Sequence, residues 1–132
     1  MREFKDINLK KSIALPNAAN TVNTNSIDLG TTQGFPLNEK VGVRLSTTSG
    51  VGANDKNITA VFQASNEAAA NFTNITELAA VVINEGSSVY AATNRDVQLP
   101  PGFAKRYIRA SATGEANGGD ASNGNLTIEL LF

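Results

Sequence analysis

Asn125-Leu126-Thr127-Ile128-Glu129-Leu130-Leu131-Phe132 places Leu126, Ile128, Leu130 and Phe132 at every second position, with Thr127 and Glu129 between them. A helix would scatter those four side chains around its circumference, whereas a strand sets them on one face, so the stretch predicts a strand lying in the core. Val41-Gly42-Val43-Arg44-Leu45-Ser46-Thr47 repeats the pattern, its odd positions inward and Arg44 and Ser46 toward solvent. Ile58, Ala60, Phe62 and Ala64 repeat it again, with Thr59, Val61, Gln63 and Ser65 on the other face.

Working outward, Asn25 to Gly30, Phe72 to Ile83, Ser88 to Leu99 with breaks, and Lys105 to Thr113 are further strand candidates. Residues 31–36, 49–56, 84–87, 100–102 and 114–125 separate them and are rich in Gly, Asn, Asp, Ser and Pro, the residues that tolerate positive φ or preset φ near −65°. Asn66 to Asn71, with three alanines after Glu67, is the one plausible helical turn, too short to stand without tertiary support. Ile7, Leu9, Ile13 and Leu15 alternate before Pro16, but Lys11 breaks the stripe, so residues 1–24 read as an arm or edge strand and 25–132 as a single domain. Seven or eight short two-sided strands in 132 residues predict an all-β, antiparallel sandwich of jelly-roll type, which hides two apolar faces against each other.

Composition removes much chemistry. The chain has no His and no Cys, which excludes Ser-His-Asp triads, Cys-His pairs, CxxC redox motifs and the usual nitrogen or sulfur zinc sites. Eleven basic against twelve acidic residues give a net charge of −1, so neither nucleic acid nor an anionic membrane is an expected partner. Met1 to Asp6 alternates charge where an export signal needs an apolar run, and no uncharged stretch is long enough to span a bilayer. The expectation is a soluble product made in the cytoplasm. The N-x-[ST] triplets at Asn57, Asn71, Asn74 and Asn125 then read as composition, not glycosylation.

Individual motifs read as structure. Ser49 to Asp55 begins like a dinucleotide loop, but Asp55 stands at the third glycine position and no helix follows, so it reads as a β-turn loop. In Pro101 to Ile108, Lys105 and Ile108 stand where an RNA-binding strand needs stacking rings. Gly114 to Asn125 offers Glu115 and Asp120 to a hard cation, but no bidentate Glu closes the loop, and it reads as a solvated hairpin. A glycosidase pair or a sugar platform would need a cleft lined with aromatics, and Trp is absent; Tyr90 and Tyr107 alone are a thin basis. Glu67, Glu77, Glu85 and Asp96 read as surface salt-bridge formers. No catalytic residue, cofactor, metal or small-molecule substrate is expected.

Lys105-Arg106-Tyr107-Ile108-Arg109 is the densest positive stretch. Alternation puts Lys105, Tyr107 and Arg109 on one face and Arg106 and Ile108 on the other, with Ile108, Ala110 and Ala112 toward the core. The basic, aromatic face is either an ordinary solvated surface or a protein contact, Tyr and Arg being enriched at interface centres.

The ordered series Asn25-Ser26-Ile27-Asp28-Leu29-Gly30, Pro36-Leu37, Phe62-Gln63-Ala64-Ser65-Asn66 leading to Phe72, and Leu99-Pro100-Pro101 followed by Arg106-Tyr107-Ile108-Arg109 resembles the capsid cement (decoration) proteins of tailed bacteriophages, in particular the small trimeric jelly-roll type. The resemblance runs from about Asn25 to the C-terminus. It implies a non-enzymatic homotrimer on the outer surface of a phage head, binding the major capsid protein and holding adjacent subunits together. A clamp of that kind needs no catalytic group. Lys105, Tyr107 and Arg109, with Arg2, Lys5, Lys10 and Lys11 of the N-terminal arm, are the candidate contacts. A carbohydrate-binding β-sandwich, whether on a virion surface or elsewhere, is the alternative.

Overall fold

The computed structural model describes residues 9–30, 41–48, 50–51, 57–84, 89–90, 92–100, 103–116 and 119–131. Among them the chain forms twelve strands and no helix: β1 Lys10–Ala14, β2 Thr21–Asn23, β3 Ile27–Asp28, β4 Gly42–Thr47, β5 Gly50–Val51, β6 Asn57–Ser65, β7 Thr73–Asn74, β8 Val81–Asn84, β9 Val89–Tyr90, β10 Thr93–Gln98, β11 Tyr107–Gly114 and β12 Asn125–Leu131. The three stripes that decide the fold fall in β4, β6 and β12, and those of their apolar positions that are described are buried. Phe132, Arg2, Lys5, Glu85 and residues 31–36 and 52–56 lie outside the described residues.

One sheet has the order β1-β12-β4-β10, and the other runs β2-β11-β6-β7, with β3 also on β11 and β8 also on β6. Every pairing is antiparallel. Taking β2 with β3 and β7 with β8 as single positions leaves four positions per sheet. The chain passes from one sheet to the other at each step except from β6 to β7 and β8, which share a sheet, and its first and last strands, β1 and β12, are neighbours. This interleaved eight-position sandwich is the jelly roll, with β5 and β9 as a separate small ribbon.

The core lies between the sheets. In the β6–β11 ladder large and small side chains face each other: Phe62 opposite Ala110, Ala64 opposite Ile108, Ile58 opposite Gly114. Val43 and Leu45 of β4 lie beside Leu130 and Ile128 of β12 to form the opposing face. Such alternation lets the layers interdigitate without voids, the condition for native packing density.

Two buried hydroxyls replace missing ladder bonds. The edge beside β11 is interrupted between β2 and β3, where Thr24 donates its N–H to the Ala110 carbonyl and its Oγ1 accepts the Ala110 N–H at 3.0 Å. Thr47 Oγ1 accepts the Thr93 N–H at 3.0 Å in the other sheet.

Several expected elements differ. Asn25 to Gly30 pairs as a strand only at Ile27–Asp28, because Thr24 has already taken the neighbouring position on β11. Phe72 to Ile83 divides into β7 and β8, since Ile75 turns inward to bond the Phe62 carbonyl and Leu78 N–H closes a turn on the Ile75 carbonyl. Asn66 to Asn71 is a bend, not a helical turn: Ser65 Oγ donates to the Ala70 carbonyl and accepts the Glu67 N–H, and Asn71 has φ 59°. Beyond β1, residues 15–20 strap onto the 119–124 loop through Leu15 N–H to Gly124 O, Ala18 N–H to Gly119 O and Ala121 N–H to Pro16 O.

Candidate protein interface

β11 is central in its sheet, and its alternation sends Ile108, Ala110 and Ala112 into the core and Tyr107 and Arg109 outward. The alternation starts at Tyr107. Lys105 precedes the strand and lines a groove of about 290 Å³ between residues 73–77 on one side and Pro100 and residues 103–105 on the other. Arg106, expected on the core side with Ile108, instead sits at the bend before β11 and pairs in fork geometry with Asp28: Nε to Oδ1 at 2.9 Å and Nη2 to Oδ2 at 3.0 Å. The bond to Asp28 raises the Arg106 pKa above the usual arginine range. Asn66 Oδ1 accepts the Arg106 N–H, and the guanidinium lies 5.2 Å from the Tyr107 ring centre.

Arg109 is held differently. Register places Arg109 beside Gln63 and Gln63 beside Asn74, across β11, β6 and β7. Arg109 Nε donates to Gln63 Oε1 at 2.9 Å, and Gln63 Nε2 donates to Asn74 Oδ1 at 3.0 Å. The guanidinium carbon stands 4.1 Å from the Phe72 ring centre, within cation–π range. Burial lowers the Arg109 pKa from the usual arginine value.

Lys10 and Lys11 belong to β1, the edge of the other sheet, so the described candidates fall on both sheets. Lys10 opens a row of alternating charge on that sheet's outer face: it is in register with Glu129, Glu129 with Arg44, and Arg44 with Asp96. Arg44 bonds Asp96 through Nε at 2.8 Å and Nη2 at 3.0 Å, and Glu129 lies 3.8 Å from Nη1. These hydrogen bonds, reinforced by charge, hold Arg44 above and Asp96 below their usual ranges. The salt-bridging role expected of Asp96 is therefore met, while Glu67 accepts a hydrogen bond from Asn71 Nδ2. In the next row Ser12 and Thr127 share a hydroxyl bond of 2.7 Å.

Sequence reasoning missed Asp28, Gln63, Phe72 and Asn74 as partners of the basic stretch. The outward parity of Gln63 was legible, but its alignment with Arg109 is a matter of register. In the 114–125 loop, Asp120 Oδ1 accepts the Ser122 N–H, and bonds to Ser122 hold its carboxyl below the usual range. No cluster of three metal-ligating side chains occurs among the described residues.

No protein-family model matches the sequence, and no curated protein sequence does. Among solved structures the chain is similar to the naturally occurring empty particles of cowpea mosaic virus, with TM-score 0.47 and 10% identity over 94% of this chain and 83% of that one. It is similar to a family 16 carbohydrate-binding module, with TM-score 0.40 and 10% identity over 88% and 73%. Infectious bursal disease virus, Gx strain, gives TM-score 0.39 and 13% identity over 97% of this chain and 31% of that one. With every score below 0.5 these are partial likenesses, and the jelly-roll assignment stands on strand order.

Proposed function

We propose that this chain is a non-enzymatic structural protein that binds the outer surface of a phage capsid as a homotrimer and cements adjacent major capsid protein subunits. The observation that carries this reading is a convergence. The segments bearing the resemblance to phage cement proteins are scattered from Asn25 to Arg109, yet several of them meet at one end of the second sheet. Asp28 bonds Arg106, Asn66 caps the Arg106 N–H, Gln63 and Phe72 hold Arg109, and Ala64 and Pro100 line the groove beside Lys105. A fixed, outward-facing block of this kind suits a protein that works by shape and contact. Its contacts are Lys105, Tyr107 and Arg109 on this block and Lys10 and Lys11 on β1, together with Arg2 and Lys5.

Three copies closed into a ring by head-to-tail contacts would present each surface three times without forming filaments. Linked sites gain through effective concentration, so each contact is individually weak. The test is to mix purified protein with shells of the major capsid protein from the same genome. Co-sedimentation with density on the shell exterior is expected; protein that stays in the supernatant would refute the proposal.

A second reading, carbohydrate binding, is favoured by the groove itself. Thr73, Asn74, Thr76 and Glu77 offer hydrogen bonds around an apolar floor of Ala64 and Ile75. A glycan array would give a hit abolished by Thr76→Ala or by Glu77→Ala if this reading were correct.

A further inference from the structure

Arg44 and Arg106 are each matched by a carboxylate, whereas no carboxylate of the described residues lies within ion-pairing distance of Arg109. Its side chain is nevertheless half-buried and fixed, with one bond from Nε to Gln63 and its plane against Phe72. Gln63 is itself oriented by Asn74, so the carboxamide oxygen is committed to Arg109. Guanidinium carries five N–H donors in a rigid fork, and Nε accounts for one. The four on Nη1 and Nη2 have no partner among the described residues. Such a cation has given up part of its water without receiving an anion from the described residues, which is consistent with its lowered pKa.

From this geometry we infer that Arg109 is a preorganised carboxylate receptor, its Nη1 and Nη2 edge taking an Asp, Glu or chain-terminal carboxylate of a protein partner. The planar fork matches a carboxylate with two parallel hydrogen bonds. Because the side chain is already immobilised, binding loses little rotamer entropy. Tyr107, two residues away on the same outward face, adds an aromatic contact beside it, the composition typical of interface centres. The inference rests on the cement reading for the partner's identity: the carboxylate comes from a subunit of the major capsid protein.

The experiment compares wild type with Arg109→Lys, which keeps the charge but loses the fork, and with Arg95→Lys in β10 of the other sheet as control. Three quantities are read: mass in solution by light scattering, affinity for capsid shells, and the shift of the Arg109 side-chain N–H signals on adding sodium acetate against sodium chloride. Thermal melts establish that each variant is folded. Arg109→Lys is expected to weaken shell binding by about tenfold or more at unchanged mass, with Arg95→Lys unchanged. Loss of mass would instead place the carboxylate on a neighbouring copy and overturn the assignment to the capsid. Acetate, unlike chloride, is expected to shift the Arg109 signals saturably. Wild-type protein that ignores shells overturns the cement reading and leaves Arg109 judged by the acetate shift. A folded Arg109→Lys protein with wild-type mass and shell affinity, or Arg109 signals indifferent to acetate, overturns the inference.

Discussion

Gly114 at the end of β11 lies directly beneath the Ala18 carbonyl, so close that a Cβ at Gly114 would overlap that oxygen. The contact ties the 15–20 strap to the central strand of the second sheet, with Gly114 N–H also bonded to the Asn20 carbonyl. Because the obstacle is backbone, it has no flexible end to swing aside. Gly114→Ala is expected to destabilise the fold by about 2 kcal/mol, in the range of overpacking in a closed site. Chemical denaturation would measure it, and a variant as stable as wild type would show that the strap is free to lift.

Phe62 is fully buried opposite Ala110. Phe62→Ala would leave a cavity that two small facing residues cannot fill, and is expected to cost about 3–5 kcal/mol. The converse change, Ala110→Leu, should cost about 1–3 kcal/mol by overpacking. Both are read from denaturant midpoints.

Thr24 separates hydrogen bonding from packing. Thr24→Val keeps the shape but leaves the buried Ala110 N–H without its acceptor, an expected loss of about 1–3 kcal/mol. Thr24→Ser retains the oxygen and should lose less. Equal losses for the two would place the contribution of Thr24 in its methyl group.

Stability should fall on acidification from about pH 4. Bonds to Arg44 lower the Asp96 pKa in the folded chain, and bonds to Ser122 lower that of Asp120. The unfolded chain therefore binds more protons at these sites. Their stabilisation is present above the unfolded carboxyl value, near 3.9, and is lost as pH drops through the lower folded values. Urea midpoints from pH 5 to pH 2 would follow it, and Asp96→Asn should flatten the slope.

The fold was legible wherever burial alone set the pattern. Val43, Leu45, Ile58, Phe62, Ile128 and Leu130 each face the core at the parity their neighbours require. Reading failed where a side chain stood in for backbone pairing. Thr24 and Ser65 redirect the chain through hydroxyl bonds, and neither has a spacing signature. Ile75 to Leu78 turns without Gly or Pro, so nothing in composition marked the break between β7 and β8. Within the candidate interface, the outward direction of Tyr107 and Arg109 followed from period two. What holds Arg109 did not, because Gln63 is 46 residues away and only register brings them side by side.

The most direct test is mechanical. If the proposal holds, phage heads that carry this protein can be stripped of it, and the temperature or force at which they break is measured before stripping, after stripping and after adding it back. A structural cement predicts weaker stripped heads and recovery of strength on re-addition. Heads equally robust in all three states would contradict it.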